Sequence, residues 1–169
     1  MTSYISKTEI TLEKYMEISN RPLGKKARAD LNRWKITKIA GIAVSAAIAG
    51  LALNSGMGEF SLISGVFGLV MAYQLFFQRK NLIKKKYAET VDLLPDKKWV
   101  RTITFDDKIT VADGNNSSVF AYSDYKWASE NEGYFLLYRN ENIVLRVEKG
   151  SFTYGNEKDF LRWISNKLK

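Results

Sequence analysis

Two long runs of uncharged, mostly apolar residues, separated by a six-residue turn, constrain this chain more than any other feature of its sequence. The first occupies residues 39–53 and reaches 36–53 if Lys38 is tolerated near its polar end. The second occupies residues 60–77, with Gln74 its most polar member. Eighteen helical residues rise about 27 Å, close to the roughly 30 Å hydrocarbon thickness of a bilayer, so each run predicts a membrane-spanning helix. Between them Asn54-Ser55-Gly56-Met57-Gly58-Glu59 holds two glycines plus Asn and Ser, enough to reverse the chain and too little to form a domain. An antiparallel transmembrane hairpin over residues 36–77 is the expectation.

The formal net charge of +8 is concentrated beside these runs. Residues 1–38 carry nine Lys and Arg against four acids, residues 79–98 carry seven against three, and residues 99–169 balance ten against ten. Lys25, Lys26, Arg28, Arg33, Lys35 and Lys38 precede or enter the first run, and Arg79, Lys80, Lys84, Lys85 and Lys86 follow the second. Cations favour the cytoplasmic ends of membrane spans, so both flanks, and both termini with them, are expected in the cytoplasm of a two-span cell-membrane protein. The same cations are the candidates to meet anionic lipid headgroups, each contributing on the order of 1 kcal/mol near such a surface. Trp34, Tyr73, Phe76 and Phe77 lie where an interfacial aromatic belt belongs. The competing reading is a buried helical hairpin in a water-soluble protein. The rest of the chain is too small to enclose two helices that are apolar on every face.

Small residues recur at four-residue spacing, Gly41, Ser45 and Ala49 in the first run and Ser64, Gly68 and Ala72 in the second. Such stripes let helix backbones approach closely. They serve either to pack the two helices on each other or to dock a second copy or another membrane protein. Neither run has an ionisable residue at its centre, which argues against an ion path or proton relay.

Outside the hairpin the hydrophobic period changes. Residues 4–10 alternate as a short strand, and Thr11 is placed to cap a helix with Leu12, Tyr15, Met16 and Ser19 on one face, stopped by Pro22 and Gly24. Residues 1–35 thus form an N-terminal strand and amphipathic segment. After the second run, residues 78–98 read as a basic exit helix stopped at Pro95-Asp96. Residues 99–169 then predict short strands at 99–105, 108–112, 118–122, 125–128, 134–138 and 143–147, with turns at 113–116, 130–133 and 139–142. Asn156 is placed to cap a last helix that turns Phe160, Leu161, Trp163, Ile164 and Leu168 to one side. Fold class is therefore α+β: a transmembrane hairpin followed by an antiparallel, pleckstrin-homology-like half-barrel closed by a C-terminal helix.

This order of elements, with Thr104-Phe105-Asp106-Asp107 and Ile109-Thr110-Val111, then Tyr122-Ser123-Asp124-Tyr125, then Tyr134-Phe135-Leu136-Leu137-Tyr138 and Ile143-Val144-Leu145, resembles the YcxB-like family of small bacterial membrane proteins. The resemblance covers nearly the whole chain. It implies architecture and membrane location, and it implies no established activity.

Chemistry is thinly represented. With neither cysteine nor histidine, the chain lacks thiolate nucleophiles, disulfides, zinc-ribbon spacing and the commonest general base and metal ligand. Ser123 and Lys126 have no orienting third group for nucleophilic catalysis. Asp106, Asp107, Asp113 and Asp124 miss calcium-loop spacing and suit turns. No enzyme, cofactor or metal is therefore expected. Nucleic-acid binding is disfavoured too, because the β region is neutral and the basic excess hugs the apolar runs. What remains is a membrane-tethered module in the lipid bilayer whose β domain contacts a protein partner, the partner at the hairpin or the β domain being either another protein or a second copy of the chain. The alternatives are an immunity-type inhibitor that neutralises a toxin at the membrane, and an anionic-lipid-binding module.

Overall fold

The computed structural model describes residues 3–94 and 96–168. They form an α+β chain in which two long apolar helices are followed by antiparallel sheets and a C-terminal helix. Packing divides it into a helical unit, Lys26–Lys86, and a β-rich unit that joins the residues up to Lys25 with those from Tyr87 onward.

In the helical unit, α2 begins at Lys25 and runs as Lys25–Asn54, and α3 spans Gly58–Tyr73. A π-helical turn at Gln74–Gln78 joins α3 to α4, Arg79–Asp92, so the helical path is unbroken from 58 to 92. The expected reversal at 54–59 is a glycine-closed helix end. Gly56 takes φ 72° while Met57 N donates to Ala52 O at 2.8 Å and Gly56 N to Leu53 O at 3.1 Å, which satisfies carbonyls that α2 would otherwise leave open. The π-helical turn has no forewarning in the apolar pattern. The stop expected at Pro95 lies outside the described residues; α4 itself ends at Asp92.

The β unit opens with β1, Tyr4–Glu9, and α1, Leu12–Asn20, whose Thr11 cap accepts from Lys14 N at 3.3 Å. It continues as β2 Val100–Phe105, β3 Ile109–Asp113, β4 Asn116–Phe120, β5 Trp127–Asn131, β6 Tyr134–Tyr138, β7 Val144–Glu148, β8 Phe152–Tyr154 and α5 Glu157–Lys167. One sheet has the order β4-β3-β2-β1-β8 and the other β5-β6-β7, all antiparallel. β1 is thus an interior strand, paired with β2 along its whole length from Tyr4↔Phe105 to Glu9↔Val100 and with β8 on its other side.

Two expected strands move and one strand is new. The strand expected at 118–122 ends at Phe120, because Asp124 Oδ2 accepts from Ala121 N at 3.1 Å and Tyr122–Asp124 turn as a short 3₁₀ helix. The strand expected at 125–128 is β5, which runs on to Asn131 because the turn is made by two residues, Glu132 and Gly133, the latter at φ 71°. β8 is a three-residue strand too short to show a period.

α5 supplies the seal of the core. Its Asn156 cap accepts from Lys158 N, and its apolar stripe buries Phe160 and Ile164 completely. Phe160 meets the rings of Tyr4, Phe105, Phe135 and Phe152 at centroid distances of 5.3, 4.9, 5.2 and 4.8 Å, drawing together β1, β2, β6 and β8. Gly155, between β8 and α5, takes φ 87°, and a Cβ built on it would lie 2.3 Å from Tyr4 Cδ1. Gly155→Ala combines a left-handed backbone with a clash into the core, so it is expected to destabilise by well over about 1 kcal/mol and to lower the urea midpoint.

Candidate binding cleft

Alternation along the strands sets the polarity of the space between the sheets. On β2 the core-facing series is Phe105, Ile103, Arg101, and on β3 it is Ile109, Val111, Asp113. Phe105 and Ile109 lie under α5 in the apolar core. Arg101, four residues from Phe105 and so about 13 Å along the strand, is where the series turns polar. The register sets Arg101 opposite Asp113. Arg101 Nε donates to Asp113 Oδ1 and Nη2 to Oδ2, both at 2.9 Å, and Trp99 Nε1 donates to Oδ1 at 3.0 Å.

Burial alone would raise the Asp113 pKa, but the hydrogen bonds from Arg101 and Trp99 and the guanidinium charge outweigh it and hold the carboxyl below its ordinary value. A depressed folded-state pKa contributes stability that is present above the unfolded carboxyl's pKa, about 3.9, and is lost as pH falls through the lower folded value. Asp113→Asn is therefore expected to cost about 1 to 2 kcal/mol at pH 7, allowing for solvent screening, with the difference from the parent closing as pH falls below about 4. Urea unfolding at pH 7 and at pH 3 reads both values.

Arg101, Val144 and Leu145 line both lobes of a cleft in this polar region. One lobe, about 170 Å³, lies among β1, α1, β2 and β7; the other, about 250 Å³, lies among β2, β3, β4 and the start of β7. Lys14, Arg101, Arg139 and Arg146 line it against only two carboxylates, Asp113 and Glu148, so its walls carry excess positive charge. Three of the cations are paired: Lys14 with Glu148 at 2.8 Å, Arg101 with Asp113, and Arg139 with Asp124 at 3.7 Å. Arg146 has no carboxylate within ion-pair distance among the described residues. It is partly buried, its Nη2 donates to Arg21 O at 2.7 Å, and its guanidinium lies 5.9 Å from the centre of the Tyr134 ring. Burial works against its charge and lowers its pKa, which Tyr134 and Glu17 partly offset.

The residues singled out from the sequence fall elsewhere. Ser45 is buried on α2 and faces Gly68 on α3, where an added Cβ would sit 3.2 Å from Ser45 Cβ; a Cβ on Gly41 would sit 3.5 Å from Met71 Cγ, in ordinary contact. Gly41, Ser45 and Ser64 line one groove along the helix pair, while Ala49 and Ala72 are half-buried. Of the cations, Lys38 Nζ donates to Gln74 Oε1 at the π-helical turn, Arg79 lies 5.8 Å from the Trp34 ring, and Lys25 pairs with Glu141 at 3.2 Å. Lys26, Arg28, Arg33, Lys35, Lys80, Lys84, Lys85 and Lys86 are exposed. The four turn aspartates do not converge, since Asp113 holds Arg101 while Asp124 caps its turn.

Neither Arg101 nor Arg146 stands out in a β region whose charges balance. The available signal was parity: Arg101 and Asp113 continue two core-facing series on adjacent strands. Comparison with family models, with curated proteins and with solved structures finds no match to this chain.

Proposed function

We propose that this chain is a non-enzymatic membrane protein whose helical hairpin is embedded in the cell membrane and whose β unit, on the cytosolic side, binds a protein partner. One observation carries the anchor. The apolar windows of the two long helices are 11% and 0% buried, leaving Ile36, Leu51, Leu62, Ile63 and Leu69 more than 60% exposed, with large apolar neighbours all round both helices. Water does not tolerate so extensive an apolar surface, and a bilayer of matching thickness does. The basic residues at the polar ends of both helices support cytoplasmic flanks.

The β unit is read as pleckstrin-homology-like because β1 to β4 form one antiparallel run, β5 to β7 a second, and α5 covers one opening between them. In this reading the hairpin is an insertion between β1 and β2, and β8 is an added edge. Kinship with the YcxB-like family is part of the same proposal and rests on the segments quoted from the sequence. The excess of cations lining the cleft supports a binding role.

The test is extraction. The full chain is expected to stay with membranes through an alkaline carbonate wash and to leave them only in detergent, whereas a chain with residues 26–86 replaced by a flexible linker should be soluble. Release of the full chain by carbonate would overturn the anchor.

A further inference from the structure

The sheet β5-β6-β7 ends on β7, and among the described residues no strand pairs its outer side. Lys149 N donates to Gly133 O and Arg139 N to Ile143 O, which sets the hydrogen-bonded pairs of the β6 and β7 ladder at 135/147 and 137/145. The backbone N–H and C=O of Val144 and Arg146 therefore point away from β6. Beyond them the edge closes, because Glu148 O already accepts from Ser151 Oγ at 2.6 Å. The open stretch is short, and it borders both lobes of the cleft. An unpaired edge of this kind is a template for an added strand.

Charge decides what that strand carries. Lys14, Arg101 and Arg139 form ion pairs within the chain, whereas among the described residues Arg146 is in ion-pair contact with no carboxylate and is met by Glu17 only at longer range. A partly buried guanidinium holding donors in a fixed fork is matched by a carboxylate. A strand laid along β7 follows its pleat, so alternate side chains fall on the Arg146 face and on the Leu145 face. The Leu145 side opens on Val111 and Phe120, which suit an apolar side chain.

We propose that the β7 edge takes an extended segment of a partner protein in which acidic and apolar residues alternate, added as a strand with a carboxylate on Arg146. This deepens, and rests on, the reading of the β unit as a protein-binding module.

The test uses the full chain in nanodiscs of zwitterionic phosphatidylcholine and a fluorescent, end-capped octapeptide of alternating Glu and Val. Anisotropy should show saturable binding, and a Lys/Val peptide should not bind. Arg146→Gln should weaken binding about tenfold, the scale of one charge-assisted hydrogen bond. Val144→Pro, which removes an outward N–H at an edge position where proline is tolerated, should weaken it as much, with circular dichroism confirming the fold of each variant. Amide exchange at Val144 and Arg146 should slow in the complex. Equal binding of the two peptides, no binding of the Glu/Val peptide at millimolar concentration, or affinity unchanged by Arg146→Gln would each overturn the proposal. So would tighter, Arg146-dependent association of the β unit with phosphatidylglycerol vesicles in place of peptide, which would assign the cleft to lipid. Failure here with the chain still resisting carbonate removes only strand addition. Peptide binding by a chain that carbonate releases removes only the anchor.

Discussion

A fragment cut at residue 99, where the β-rich sequence begins, is expected not to fold. It keeps β2 to β8 and α5 but loses β1, which fills the position between β2 and β8 and pairs with β2 over six residues. Tyr4 and Ser6 are buried at 2% and 1% exposure, and Tyr4 contacts Phe152, Phe160 and Trp163 in the core. Losing one aromatic of this kind costs about 3 to 5 kcal/mol, and losing the strand leaves two raw sheet edges where the core should be continuous. Against a whole-domain stability of about 5 to 15 kcal/mol, the fragment has too little left. The complementary chain, residues 3–25 joined to 87–168 through a Gly/Ser linker, should fold cooperatively, because it keeps every strand pair. Dispersed amide resonances and a sigmoidal urea transition for the linked chain, and neither for the fragment, are the expected pair of results. A folded fragment would mean that β1 is dispensable.

The second large effect is at Phe160. Its ring is wholly buried and touches four other aromatic rings from β1, β2, β6 and β8 within 5.3 Å. Phe160→Ala removes both the transfer energy and the contacts of those neighbours, for a loss of about 3 to 5 kcal/mol. Phe160→Leu keeps most of the volume and should lose far less. Urea midpoints of the linked chain measure both. Equal losses for the two variants would show that the ring contacts, not the buried volume, carry the effect, and a loss under about 1 kcal/mol for Phe160→Ala would contradict the placement of the core.

What was legible in the sequence was whatever a local rule enforces. The helices of 39–53 and 60–77 are visible because their apolar runs admit few other structures. Thr11 and Asn156 announce helix starts because their side chains bond backbone N–H groups within three residues. The partner of β1 is different in kind: Glu9 pairs with Val100 across the whole hairpin, and nothing near either residue encodes that meeting. Position within a turn was also illegible. Residues 130–133 contain acceptable turn formers throughout, and only the left-handed Gly133 places the reversal at the last two and extends β5. The cleft was hidden for a related reason. Arg146 is an ordinary strand cation until α1 and the Tyr134 ring surround it, whereas the Arg101 and Asp113 pair could be read from parity once the β2 and β3 hairpin was drawn.

The central claim is an anchor that leaves the β unit on the cytosolic side, and side-specific labelling tests it most directly. Because the chain has no cysteine, Ser55→Cys in the turn between α2 and α3 and Asn115→Cys at the exposed tip of the β3 and β4 hairpin each create a single reactive thiol. With a membrane-impermeant maleimide, Cys at position 55 should label in intact cells and Cys at position 115 only after lysis. Labelling of both from outside, or of neither until lysis, would contradict a two-span hairpin with a cytosolic β unit.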